Sequence, residues 1–462
     1  MHSLSIFGTS SDAGKSTISF ALTYLLHHKG IKVAPFKAQN VSNNSRVCDS
    51  GGEIAQAQYF AAESIDLPTT PDMNPVLLKS GKGKSSSLII NGQNRGVKSV
   101  QDYYDDIGQL KPIVKEAFLR LKDDFECIVA EGAGSPVELN LMDRDLSNIY
   151  IATEFNTKII LVADIERGGV FASVWGVYNL LPQKLRDNVI GVIINKFRGD
   201  MRLFDKGREI IENEFKIPVL GVVPYRSFNL GFEDSQSLIN YTQDIRQSII
   251  KIGVIHFPHI SNFTDFEPIV SDSELDLRFI KSVQEAQLCD LLILPGTKRT
   301  ISDLQWLKEQ GLSSFLQETD KTVVAICGGY QMMFETIIDT QGIETDEACE
   351  VNALGILKGS VNFKKEKIVN KTTYNIFGEE IQGYEIHHGV AEPLSVQKEH
   401  FYGTFVHGIF DNDNFRKKLF IKINADYQGY DFQAYKEASV SAFAEHVSEH
   451  IDINRLVKAL HE

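Results

Sequence analysis

Gly8-Thr9-Ser10-Ser11-Asp12-Ala13-Gly14-Lys15-Ser16-Thr17 is the stretch on which the reading of this chain turns. It follows a short apolar run, Ser3-Leu4-Ser5-Ile6-Phe7, and precedes residues 18–26, whose apolar side chains recur at helical spacing. A strand, a glycine-bounded turn and a helix in this order form a phosphate-binding loop, because the turn lets backbone N–H groups face an anion at the helix N-terminus. Lys15 would reach the outer phosphates and the Ser16 hydroxyl a magnesium ion, with Gly8, Asp12, Gly14 and Thr17 completing the loop. Five residues separate Gly8 from Gly14, where the common form has four, so the loop belongs to a related branch.

Outward from this loop, the first half alternates short β-branched runs with helical patterns. Residues 31–36, 127–130, 158–163, 189–195 and 217–223 each read as a strand buried on both faces, as a parallel sheet requires. A doubly wound α/β domain follows, with functional groups at the carboxyl ends of its strands. Lys37, Glu131, Asp164 and Asn195-Lys196 fall at those ends. Glu131 can hold Mg²⁺ or its water, and Asn195 stands where a purine base can be hydrogen-bonded. Glu53, in Gly51-Gly52-Glu53-Ile54, is either a second magnesium ligand or an acid favoured in the first turn of a helix by its dipole. The basic loop Lys79-Ser80-Gly81-Lys82-Gly83-Lys84 either meets an anionic substrate or is simply solvated.

The pattern weakens over a polar stretch, Glu233-Asp234-Ser235-Gln236-Ser237, and an α/β rhythm restarts with strands at 251–257, 291–294, 322–326 and 353–357. Two domains are expected, 1–235 and 250–462, the second closed by helices from residue 431 onward. Its distinctive feature is Val323-Val324-Ala325-Ile326-Cys327-Gly328-Gly329-Tyr330, an apolar strand running into a cysteine, two glycines and a helix. This is a nucleophile-elbow pattern, in which a sharp turn exposes the apical side chain and flanking glycines admit a reacting oxygen to backbone N–H groups. A thiol nucleophile needs a base. His256, His259, His387, His388 and His407 are candidates, with His407, at the end of Gly403-Thr404-Phe405-Val406-His407, placed ahead.

With 43% hydrophobic and 23% charged residues over 462 positions, the chain can bury two cores. The net charge of −14 argues against a nucleic-acid partner. No apolar run approaches the ~18 residues of a membrane span, and no cleavable leader is apparent. Five scattered cysteines without a CxxC support neither a disulfide framework nor a zinc site, so a reducing cytoplasm is expected.

Taken together, the phosphate loop, Phe36-Lys37-Ala38-Gln39-Asn40, Gly51-Gly52-Glu53-Ile54, Asp72-Met73-Asn74-Pro75-Val76-Leu77-Leu78-Lys79, Glu131-Gly132-Ala133-Gly134-Ser135, Asn195-Lys196-Phe197-Arg198-Gly199-Asp200, Leu294-Pro295-Gly296-Thr297-Lys298, the cysteine elbow and Gly383-Tyr384-Glu385-Ile386-His387 resemble the cobyric acid synthases over nearly the whole chain. The first half is similar to dethiobiotin synthetase and the second to class I glutamine amidotransferase domains. The resemblance implies ATP- and glutamine-dependent amidation of four carboxylates of adenosylcobyrinic acid a,c-diamide, with Cys327 as nucleophile and His407 as its base. ATP would lie on Gly14, Lys15 and Ser16, and Mg²⁺ on Ser16, Glu131 and Glu53, with Lys15 and Lys37 facing the transferring phosphoryl group. Two departures stand out. Ala325 replaces a glycine common in such elbows, and Gly408-Ile409 follows His407 where a glutamate two residues on would complete a triad. Alternatives are the a,c-diamide synthase of the same pathway, a partitioning-type ATPase switch, and a scaffold with an inactive glutaminase domain.

Overall fold

The computed structural model describes residues 1–80, 85–228, 230–231, 248–345 and 347–462. Most of the basic loop and the polar stretch at 233–237 lie outside them. By packing, the chain forms two compact units: Met1–Ser42, Cys48–Phe228 and Lys436–Glu462 in the first, Asn43–Val47 and Asn229–Tyr435 in the second.

The first unit is built on a six-stranded parallel sheet in the order Val219–Pro224, Val189–Phe197, Lys158–Asp164, Leu4–Gly8, Cys127–Glu131, Val33–Phe36. The strands are almost wholly buried because helices cover both faces, and for that reason they read as continuous apolar runs. Each expected strand is present, with ends shifted by one or two residues. The helix Lys15–His28 starts directly after Gly14, whose φ of 91° a side-chain-bearing residue adopts only with strain. A second, four-stranded sheet joins Gln39–Val41, Val76–Ser80, Ser85–Ile90 and Gln93–Ser99.

The second unit has a six-stranded sheet in the order Leu275–Ile280, Ile250–Ile255, Leu291–Leu294, Thr322–Ile326, Phe401–Thr404, Ser395–Lys398, parallel except for the last pair. Beside it, Ser360–Ile376 and Glu379–Val390 form a long antiparallel hairpin. Phe377 and Gly378, at φ 57° and 73°, make its two-residue turn, and positive φ at both positions matches the twist of the strands. The many charged residues of this hairpin hide its alternation.

Two expectations are corrected. Residues 353–357 are not a strand. Leu354 and Leu357 are core plugs, and the backbone of this segment bonds to the chain just after the cysteine elbow: Leu354 N to Met332 O, Gly355 N to Phe334 O and Leu357 N to Met333 O. Gly355, at φ 67°, turns the chain out of extended geometry. The terminal helices Phe432–His450 and Ile453–His461 are present, but Lys436–Glu462 packs in the first unit and does not close the second. Phe443 stacks on Phe20 of the phosphate-loop helix at 5.8 Å, Leu460 O accepts from His2 N, and Ile451 bridges to Gly221. An apolar helical face shows that it must be covered, not what covers it.

The approach at Gly221 is close enough to test. A Cβ there would lie 2.0 Å from His450 O and 2.9 Å from Ile451 Cα. Gly221→Ala is therefore expected to cost about 1–3 kcal/mol through forced backbone separation. Proteolysis should then release the C-terminal helices before the rest of the chain is cut. An unchanged denaturation midpoint would show that this packing carries no weight.

Candidate active sites

In the first unit, the loop after Leu4–Gly8 folds back over the start of its helix. Gly8 is needed there, since a Cβ would lie 2.7 Å from Lys15 Nζ. Lys15 is 8% exposed and its amine donates to Ser10 O at 3.2 Å. Asp12 takes a positive φ of 58°, Thr17 Oγ1 donates to Gly14 O, and Asn195 Nδ2 donates to Ala13 O at 3.0 Å. The Asn195 amide therefore braces the loop, and it leaves no room for a Cβ at Gly14, which would sit 2.1 Å from Nδ2.

Glu131 is the centre of this site. At 3% exposure, its Oε1 accepts from Ser16 Oγ at 2.7 Å and from Lys37 Nζ at 2.8 Å, while Gln58 Nε2 donates to Oε2 at 3.3 Å. Two strand ends and a helix thus bring a hydroxyl, an ammonium and a carboxylate together. A serine hydroxyl beside a carboxylate is a hard-oxygen donor set of the kind Mg²⁺ takes, so the residues fit that ion. Glu53 is fully buried and forms an ion pair with Lys79. Asp164, at the next strand end, accepts from Lys196 Nζ at 3.1 Å and from Glu166 N at 2.7 Å.

In the second unit, Cys327 ends the strand Thr322–Ile326 at φ 50°, ψ −106°. A β-carbon residue held there carries about 1–3 kcal/mol of backbone strain. The neighbouring glycines have no space for side chains: a Cβ on Gly328 would lie 2.6 Å from Thr297 Cγ2, and one on Gly329 2.2 Å from Leu294 O. The turn Pro295-Gly296-Thr297 therefore runs directly against the elbow. Buried Asp303 anchors that turn by accepting from the Thr297 hydroxyl, from His259 N at 3.2 Å and from His259 Nδ1 at 2.8 Å.

His407 is 1% exposed and close enough to Cys327 for the two side chains to interact electrostatically, while Cys327 Sγ itself donates to Ile386 O at 3.9 Å. Its Nδ1 donates to Asp265 Oδ2 at 2.7 Å, and Gly408 N donates to Asp265 Oδ1 at 2.8 Å. Gly296 makes room for the ring, since a Cβ there would meet Cε1 at 2.9 Å. Burial pushes the His407 pKa down, but the charges of Asp265 and Cys327 and the hydrogen bond to Asp265 outweigh it, raising it to about 10. The rival histidines are engaged elsewhere: His387 with Gly389 O and Glu385, His388 with Lys364 O, His259 with Asp303. Burial and Lys281 push His256 below its usual value, and its ring lies by Phe279.

Asp265 is the residue that sequence reasoning misses. It stands 142 positions before His407 in a short 3-10 turn, Phe263–Phe266, with no local motif to flag it. Gln58 is missed for the same reason.

Residues 4–231 match the CobQ/CobB/MinD/ParA nucleotide binding domain, and residues 251–415 the CobB/CobQ-like glutamine amidotransferase domain. Among the described residues, no helix is long and apolar enough to cross a membrane. A cobyric acid synthase of Acinetobacter baylyi is 54% identical over the full length of both chains. Two further cobyric acid synthases are similar over most of their length. That of Carboxydothermus hydrogenoformans is 40% identical, covering 91% of this chain and 90% of its own, and that of Clostridium botulinum strain 657 is 36% identical, covering 99% of each. With both domain families matched in order and a relative above half identity end to end, the chain belongs to the cobyric acid synthase family.

Proposed function

We propose that this enzyme converts four peripheral carboxylates of adenosylcobyrinic acid a,c-diamide to carboxamides, giving adenosylcobyric acid, with glutamine as nitrogen source and ATP as activator. The observation that carries the reading is the buried Cys327–His407–Asp265 array on a strained elbow, in the same chain as a phosphate-binding loop.

A carboxylate is a poor electrophile, so it is first phosphorylated. Lys15 and Lys37 would neutralise charge on the transferring group, a reaction in which positioning and electrostatics do most of the catalysis. Gly14, the loop backbone and the helix N-terminus would hold the phosphates. Ser16 and Glu131, with Glu53 as a further candidate, would hold Mg²⁺, which when bound supplies charge neutralisation on the phosphate oxygens.

In the second unit, Cys327 would attack the glutamine carboxamide carbon as His407 holds the thiol proton. Backbone N–H groups of the turns at Gly328 and Thr297, which pack against each other, would donate to the developing oxyanion. His407 then protonates the departing ammonia, and water clears the γ-glutamyl thioester with His407 as base. Asp265 keeps the imidazole in one tautomer and orientation, the third role in a nucleophile–base–orienter set. Ammonia then displaces phosphate from the acyl phosphate to give the amide.

Incubation with the a,c-diamide, ATP, Mg²⁺ and glutamine should give a product carrying four new amides by mass spectrometry. Two new amides on cobyrinic acid instead would assign the chain to a,c-diamide synthesis. Cys327→Ala should abolish glutamine use and keep amidation driven by ammonium salt, and loss of both would count against separate sites. Asp265→Asn should lower glutaminase turnover by about 10²–10⁴-fold, the range a positioned general base supplies. Because the His407 pKa is raised from 6.5 to about 10, its contribution to stability is complete below pH 6.5 and disappears as pH rises through about 10. The wild-type margin over Asp265→Asn in denaturant midpoint should therefore narrow between those values, and a constant margin would contradict the assignment.

A further inference from the structure

Asn43–Val47 belongs to the second unit, whereas the chain up to Ser42 and from Cys48 belongs to the first. Within the second unit these five residues lie on the histidine side of the glutaminase site. Asn44 Oδ1 accepts from Phe263 N at 3.2 Å, two positions before Asp265. Asn43 Oδ1 accepts from Lys298, next to Thr297. The Arg46 guanidinium lies over the Tyr384 ring, 4.9 Å from its centroid, and both of its terminal nitrogens donate to Asp411 Oδ2 at 3.4 Å.

Tyr384 is the wall behind His407. The two rings stack at 5.3 Å and 22°, and their backbones exchange hydrogen bonds, His407 N to Tyr384 O at 2.8 Å and Tyr384 N to His407 O at 3.2 Å. The Tyr384 hydroxyl accepts from Asn262 Nδ2 at 3.0 Å, so the ring is held at its tip. Arg46 lies over the same ring, and a planar guanidinium packs on an aromatic ring as an ammonium cannot. A Cβ on Gly408, the residue after the histidine, would come within 3.6 Å of Arg46 Nη1. Guanidinium and imidazole thus both pack on the tyrosine ring, with Asp265 holding the imidazole by its Nδ1.

We propose that Arg46 is a positioning residue for glutamine hydrolysis. It clamps Tyr384 against His407, so the imidazole keeps the one orientation in which it meets both Cys327 and Asp265. This rests on the reading of those three residues as a glutaminase. In sequence, Arg46 lies between Lys37 and Glu53, each a member of a buried lysine–glutamate pair of the first unit, Lys37–Glu131 and Lys79–Glu53. The residue that steadies the glutaminase histidine is therefore delivered by the ATP-binding half of the chain.

The test uses full-length enzyme and glutamine alone, measuring Cys327-dependent release of ammonia. Arg46→Ala should lower kcat about 10–100-fold, as a misplacement near 1 Å does, with KM for glutamine within about twofold and amidation driven by ammonium unchanged. Arg46→Lys should not restore turnover, because the charge returns without the planar stack. Asp411→Asn, which loosens the guanidinium without removing it, should lower kcat in the same direction by less, and it serves should Arg46→Ala fail to fold. Unchanged kcat in Arg46→Ala and Asp411→Asn, a rise in KM alone, or full activity in Arg46→Lys would overturn the proposal. Absence of Cys327-dependent hydrolysis in the wild type would instead overturn the glutaminase reading beneath it.

Discussion

The contact from His407 to Asp265 is the one on which the geometry around Cys327 depends. An ionised group taken out of water is penalised by several kcal/mol unless a partner answers it. Both residues are almost wholly inaccessible, so each is tolerable only because of the other. The carboxylate uses its second oxygen on Gly408 N, which ties the imidazole's position to the backbone that carries it. Cys327, held at positive φ by the elbow, then lies beside an imidazole whose orientation is already set.

The same reasoning governs the first unit with different residues. Glu131 is buried at a strand end and balanced by Lys37, with Ser16 and Gln58 also donating to its oxygens. In both units a parallel sheet places the charged group at a carboxyl strand end, and a tight glycine turn brings backbone close to it. Gly14 beside Asn195 and Gly329 beside Leu294 serve that purpose: at each, a single added carbon would collide with its neighbour.

Much of this was legible in the chain. Strands buried on both faces appear as apolar runs, and all six in the first sheet are recognisable that way. The exceptions have physical causes. The hairpin Ser360–Ile376 to Glu379–Val390 is exposed along much of one face, so charged residues interrupt its alternation. Residues 353–357 are apolar and short like a strand, yet their backbone hydrogen bonds go to a loop, and pattern alone does not distinguish core plug from strand. The C-terminal helices show an apolar face without naming its partner, which proved to be the first unit.

The sequence by itself determined the phosphate loop, the cysteine elbow and the two α/β rhythms, because each is local: glycine spacing, an apolar run and a turn within a dozen residues. Only the tertiary structure decided which histidine meets Cys327, which carboxylate holds that histidine, and that Asn43–Val47 joins the second unit. Those pairings span up to 365 positions, as between Arg46 and Asp411. They are set by how sheets bring strand ends together, and no periodicity along the chain encodes that distance.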